Sequence, residues 1–123
     1  MVEIVVSKQA DEKTLILSKA TLSAADQLGV SGADLAPILG VSESFISRMK
    51  QNKAVLSGKS FELAALFVRL FRGLDAITGN PETSRNWMRS ENSVLHGLPI
   101  DLVKSVVGLT RVQAYVDSRR ARN

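Results

Sequence analysis

Apolar residues recur every three or four positions along most of this 123-residue chain, with polar residues between them. That is the period of helices packed on one side. Leu15, Leu17, Leu22, Ala25 and Leu28 predict a first helix from Asp11, stopped at Gly29. The preceding residues 1–10 read either as a short strand or as a disordered leader. Ser31-Gly-Ala-Asp34 has the form of a capping box that opens a second helix, with Asp in place of the usual Glu. Pro37 lies beyond its first turn, removes a backbone donor and predicts a local distortion. The longest stripe runs from Lys59 to Thr78 through Leu63, Leu66, Phe67, Leu70, Phe71, Leu74 and Ile77, and Gly79-Asn80-Pro81 ends it. A stripe so wide packs on more than one neighbour. Beyond Pro81 the units shorten: a helix over 82–89 with Trp87 and Met88 inward, a loop over 90–97, a helix begun by Pro99, and a terminal helix over 109–122 after punctuation at Gly108. No strand alternation and no repeat is present, so the fold class is all-α.

Between Leu35 and Met49 the chain reads L-A-P-I-L-G-V-S-E-S-F-I-S-R-M. Leu35, Ala36 and Leu39 share one helical face, and Ala36 is small where two helices cross. Gly40 supplies the positive φ of a tight turn, Val41 plugs the angle, and Ser42 caps a new helix over 43–52. Ile46 and Met49 point back toward the first helix of the pair. This is the residue logic of a helix-turn-helix, whose second helix is free to enter a DNA major groove.

Composition narrows the partners. The chain holds 16 basic and 12 acidic side chains, a net charge of +4, and no cysteine, which removes disulfides and thiolate metal sites. Residues 1–78 are almost balanced, yet Arg48, Lys50, Lys53 and Lys59 fall in a stretch without carboxylates between Ser44 and Phe61. A cationic patch beside a recognition helix is what phosphate affinity requires. No apolar run approaches the ~20 residues that span a bilayer, and Met1–Val6 is too short and carries Glu3, unlike a secretory signal. A cytoplasmic location is the expectation.

Within the second helix, Ser42, Glu43, Ser44, Ser47, Arg48 and Gln51 are placed to reach base edges. An arginine can bridge guanine O6 and N7, and a glutamine can do the same for adenine. Glu43 either accepts from a cytosine amine or simply favours the positive end of the helix dipole. Lys50, Lys53 and Lys59 are phosphate contacts, joined by the capping Ser31 and Ser42, while Phe45 reads as core or as a contact to a thymine methyl. Catalytic chemistry finds no foothold: the one histidine, His96, stands in a loop without a carboxylate cluster, and phosphate-binding glycine loops and paired-histidine metal motifs are missing. No cofactor, metal site or enzymatic activity is expected.

The second half reads W-M-R-S-E-N-S-V-L-H-G-L-P-I-D-L-V-K-S-V-V-G from Trp87 to Gly108. A loop this detailed around a single tryptophan has the character of a docking surface. It resembles the C-terminal toxin-binding domain of the Xre/MbcA/ParS antitoxin family, through Trp87, Asn92, Leu95, Gly97, Pro99, Asp101, Leu102, Gly108 and Val112. The resemblance spans roughly residues 63–116. It implies an Xre-like helix-turn-helix bundle (residues 11–78 after the leader) followed by a small helical toxin-binding domain (79–123).

By that resemblance the protein is a type II antitoxin, acting as a homodimer that binds operator DNA to repress its own operon. Its partner is a RES-domain toxin acting on NAD, silenced by covering the active site. The toxin would meet Trp87, Asn92, Leu95, His96, Gly97 and Pro99, together with the tail Arg119, Arg120, Arg122 and Asn123. Two readings of that tail stand side by side: a cationic plug reaching an anionic-dinucleotide pocket, or a solvated helix end complementing its own dipole. Family members commonly close on an Arg-Ile-Glu-x-Gly-like segment, whereas this chain closes on Asp-Ser-Arg-Arg-Ala-Arg-Asn. The rival expectations are a stand-alone repressor whose second half dimerises or binds a ligand, and an antitoxin that has given up DNA binding.

Overall fold

The computed structural model describes the backbone of residues 2–122 and the side chains of residues 12–122. These form seven α-helices: α1 (Val2–Gln27), α2 (Gly32–Leu39), α3 (Glu43–Lys50), α4 (Gly58–Thr78), α5 (Pro81–Met88), α6 (Pro99–Leu102) and α7 (Val106–Arg122). Among the described residues the only β pairing is an isolated antiparallel bridge between Asn92 and Gly97. The all-α expectation holds.

α4 is the spine. It packs against α1, α2, α5 and α7, so its wide apolar stripe is divided among four neighbours. Leu63, Phe67, Leu70 and Leu74 are buried on it, while Leu66, Phe71 and Ile77 are half-covered against the same core. One contiguous cluster runs from Ala24 on α1 and Leu28 just beyond it, through Leu35, Ile46 and Phe67, to Met88, Leu109 and Val116.

Three departures from the sequence reading have physical causes. The first helix begins at Val2 and continues through the ten residues set apart as a leader. No proline or glycine interrupts residues 2–27, and the Ile-Val-Val run that suggested a strand costs a helix only tenths of a kcal/mol per residue. The inward stripe of α1 is also different. Leu15 is exposed, and the buried positions are Ser18, Thr21, Ala24, Ala25 and Leu28. Small residues let α1 lie close to α4, and the Thr21 hydroxyl satisfies itself on the Leu17 carbonyl at 2.7 Å.

The third departure is Gly108. It does not punctuate; it sits buried in the first turn of α7, where Ser105 caps the helix by accepting from the Gly108 amide at 3.0 Å. A Cβ added there would lie 1.8 Å from the Leu102 carbonyl oxygen and 2.7 Å from its carbon. The residue is glycine because the α6–α7 turn passes through the space a side chain would need. The helix begun by Pro99 stops at Leu102.

Candidate DNA and partner interfaces

α1, α2 and α3 end in one way. The amides of Val30, Val41 and Lys53 bond back to the carbonyls of Ala25, Ala36 and Arg48 at 2.8, 3.0 and 2.8 Å. Gly29, Gly40 and Asn52 bond to Asp26, Pro37 and Met49 at 3.1, 3.3 and 3.0 Å, with φ of 66°, 69° and 60°. This is the Schellman arrangement, which needs a left-handed residue at its corner. Glycine takes that conformation without cost in two cases and asparagine tolerates it in the third. It also explains why α3 stops at Lys50, two residues short of the expected Asn52. α2, by contrast, continues through Pro37 to Leu39.

The turn at Gly40 delivers the chain to Ser42, whose Oγ accepts from the Phe45 amide at 3.1 Å and starts α3. Ile46 and Met49 are buried, and Val41 and Phe45 are half-covered against the core. At 100° per residue that leaves the opposite arc of α3 free. Ser42, Glu43, Ser44, Ser47, Arg48, Lys50, Gln51 and Lys53 are all exposed there. The helix-turn-helix thus brings these eight residues onto one exposed side, while Ser31, Phe45 and Lys59, the other DNA candidates, lie elsewhere. The Arg48 guanidinium lies over the Phe45 ring, 5.8 Å from its centroid, which holds a flexible side chain near one orientation. Lys59 is exposed at the start of α4, where it pairs loosely with Glu62 at 3.9 Å. Ser31 caps α2 by accepting from the Asp34 amide at 3.1 Å.

The residues nominated for the toxin divide into three groups. Asn92 organises the 90–97 loop from inside: its Oδ1 accepts from the Val94 and Leu95 amides at 3.0 Å each, its amide donates to the Gly97 carbonyl, and its carbonyl accepts from His96. Leu95, 4% exposed, and the buried Pro99 support the loop from beneath. These three side chains shape the surface rather than project from it. His96, at φ 60°, is the exposed tip, and Gly97 is half-covered beside Leu102.

Trp87 stacks on Tyr115 of α7, with centroids 6.2 Å apart and rings inclined by 17°. The tail arginines do not act together. Arg119 joins Trp87 and Tyr115 around one cleft, whereas Arg120 lines a separate groove with Lys13, Arg69 and Arg72 over Ile16 and Phe61. Arg122 is exposed at the end of α7, and Asn123 lies outside the described residues.

A polar latch that sequence reading missed joins the two halves. Arg85 donates to the Gln27 carbonyl and Arg89 to the Gly29 carbonyl, so α5 holds the α1–α2 corner. Lys104 donates to the Asp34 carboxylate at 2.9 Å, with Arg89 at 4.0 Å. Asp34 therefore serves this contact, not the reciprocal half of a capping box. The hydrogen bond from Lys104 holds the Asp34 carboxyl below its ordinary pKa, against the opposing effect of burial; the same bond holds Lys104 above its own.

Both partners are charged at neutral pH, and their contribution to stability is complete above the pKa of an exposed aspartate. It is lost as pH falls through the lower folded-state value, and at the alkaline end as pH rises through the raised pKa of Lys104. Both side chains keep about a third of their exposure, so the pair is worth about 1 kcal/mol or less. Asp34→Asn should lower the melting temperature by a few degrees at pH 7 and leave it unchanged near pH 2, by thermal circular dichroism.

Two family models cover this architecture. Residues 11–69 match the antitoxin Xre-like helix-turn-helix domain, and residues 73–122 match the antitoxin Xre/MbcA/ParS C-terminal toxin-binding domain. The chain belongs to the Xre/MbcA/ParS antitoxin family. Among solved structures, the crystal structure of the M. tuberculosis MbcT–MbcA toxin–antitoxin complex contains a chain with the same fold. The TM-score is 0.68 at 21% identity, over 86% of this chain and 95% of that one. No curated protein matches the sequence. Xre/MbcA/ParS membership makes the protein an antitoxin of a toxin–antitoxin system, and sets that reading above a stand-alone repressor. The long α4 is the join: the helix-turn-helix match ends at Arg69 and the toxin-binding match starts at Gly73, both within this one helix. No helix of the described residues is long and apolar enough to cross a membrane.

Proposed function

We propose that this antitoxin represses its own operon through α3 and silences a RES-domain, NAD-acting toxin by covering its active site with the α5–α7 half. The observation that carries the DNA part is the exposed polar arc of α3, which holds Arg48, Lys50, Gln51 and Lys53 clear of the core. Arg48 and Gln51 read bases, Lys50 and Lys53 hold phosphates, and Ser42 caps the helix at the DNA surface. The toxin-binding match over 73–122 supports the second part. The protein acts in the bacterial cytoplasm as a homodimer, for which the exposed Leu15 and Ile16 on α1 offer apolar surface.

Titration of the native promoter at two salt concentrations tests the DNA role. Arg48→Ala should remove about 1–3 kcal/mol of discrimination at one base pair, roughly a 5- to 150-fold loss of selectivity. Lys53→Ala should instead weaken all sequences alike and lower the salt slope by about one. A protein that binds promoter and random DNA equally well refutes operator recognition. Co-expression with the adjacent reading frame tests the antitoxin role: that frame must be toxic alone, harmless in company, and must co-purify with this chain. Sedimentation equilibrium of the same preparation checks the dimer.

A further inference from the structure

The cleft that Arg119 shares with Trp87 and Tyr115 has properties a purely structural stack does not need. It lies where the C-terminal end of α4 meets α5 and α7, with a volume of about 110 Å³. A water molecule takes ~30 Å³ of liquid, so the cleft has room for about four, the bulk of one side chain. Leu74, Ile77 and Val116 form its floor, and the stacked rings form a wall.

Two of the four polar side chains around it are pure donors. The Trp87 indole N–H and the Arg119 guanidinium can only donate, and the Tyr115 hydroxyl can do either. Among the described residues, none of these three groups has a hydrogen-bond or ion-pair partner. The Thr78 hydroxyl at the same cleft is already engaged, with Ser84 at 2.7 Å and the Asn80 carbonyl at 3.1 Å. The nearest acid on α7, Asp117, is held by Arg69 at 2.8 Å and by Gln113 at 3.1 Å. The cleft therefore combines apolar lining from Leu74, Ile77 and Val116 with bordering residues that carry uncommitted donors and one full positive charge.

We propose that this cleft is the anchor site for the toxin and that it takes an acidic side chain with an apolar stem, a glutamate, from the toxin's surface. The assignment rests on reading the C-terminal half as toxin-binding. The stem fills the floor and the carboxylate accepts from Arg119 and Trp87, with Tyr115 beside them. A phosphate would satisfy the donors and leave the floor empty. An aliphatic side chain would fill the floor and strand the donors. Anchors of this kind, an aromatic wall with an arginine at a pocket, carry a disproportionate share of interface energy.

The test uses the full-length antitoxin and the toxin encoded beside it, titrated by calorimetry, with far-ultraviolet circular dichroism to confirm that each variant is folded. Arg119→Glu should weaken toxin binding roughly a hundredfold, the scale of removing one partner of a covered charge pair. Trp87→Phe, which keeps an aromatic face but loses the N–H with the second ring, should weaken it by roughly fivefold to tenfold. Arg72→Glu changes charge equally but lines the other groove, and should leave binding within about threefold of wild type, as for a rim charge. A glutamate-to-arginine change on the toxin that restores affinity to Arg119→Glu alone would fix the pairing. Wild-type antitoxin that fails to bind the toxin defeats the toxin-binding reading itself. Wild-type binding with Arg119→Glu unaffected, or with Arg119→Glu and Arg72→Glu equally weakened, overturns the anchor alone.

Discussion

Gly108→Ala should destabilise the protein by at least about 3 kcal/mol, enough to expose much of the α6–α7 half at physiological temperature. The added Cβ meets the Leu102 carbonyl oxygen at 1.8 Å, the Leu102 carbonyl carbon at 2.7 Å and the Ser105 Oγ at 3.0 Å. Backbone atoms cannot swing aside as a lysine tip can, so the helix start or the α6 end must move. Either shift breaks the Ser105 cap of α7 and withdraws Leu109, which is fully buried. Gly97→Ala is the control. A Cβ there would touch only Leu102 side-chain atoms at 3.5 to 3.7 Å, ordinary contact distances, so the change should stay within about 1 kcal/mol. Urea denaturation followed by circular dichroism measures both. Equal midpoints for the two variants would mean that the α6–α7 turn is looser than these distances require.

Gly108 also illustrates what the linear pattern conceals. A glycine that ends a helix and a glycine that admits a neighbouring carbonyl look alike in sequence. Only the 1.8 Å approach of Leu102 tells them apart. Gly40 could be read because its neighbours cooperate: the cap at Ser42 and the return of Ile46 fix where the turn must lie. The α4 stripe was legible for a similar reason, since seven apolar residues on one face admit few arrangements.

Ser18 and Thr21 go unmarked in the linear pattern because hydroxyls count as polar there, although a helix can absorb a Thr hydroxyl on its own backbone. Asn92, Leu95 and Pro99 were recognised as a set, yet their sequence could not say that the amide oxygen would turn inward to hold two backbone amides. The Asp34–Lys104 bond joins residues separated by 70 positions, and nothing local marks it. Local chemistry was visible along the chain, whereas contacts between the halves depend on how α4 orients both.

That dependence leads to the second large effect, at Phe67. Its side chain is fully buried on α4, between Leu63 and Leu70 on the same face of the spine. Phe67→Ala removes a large apolar volume that the surrounding helices cannot refill, and should cost about 3–5 kcal/mol. The form of the transition is as informative as its size. The buried cluster passes without interruption from α1–α3 to α5–α7, and Arg85, Arg89 and Lys104 tie the α1–α2 segment to the second half.

If the spine makes one cooperative unit, Phe67→Ala should shift a single transition. Trp87 fluorescence, which reports the toxin-binding half, and far-ultraviolet circular dichroism, which reports all helices, should then lose their signals together. Two separated transitions, with the Trp87 signal surviving the first, would show that the helix-turn-helix melts alone and that α4 joins two independent domains. Coincident curves instead mean that neither half keeps a stable fold without the other. A defect at Phe67 should then weaken DNA and toxin binding in step as the temperature approaches the midpoint, although the residue touches neither partner.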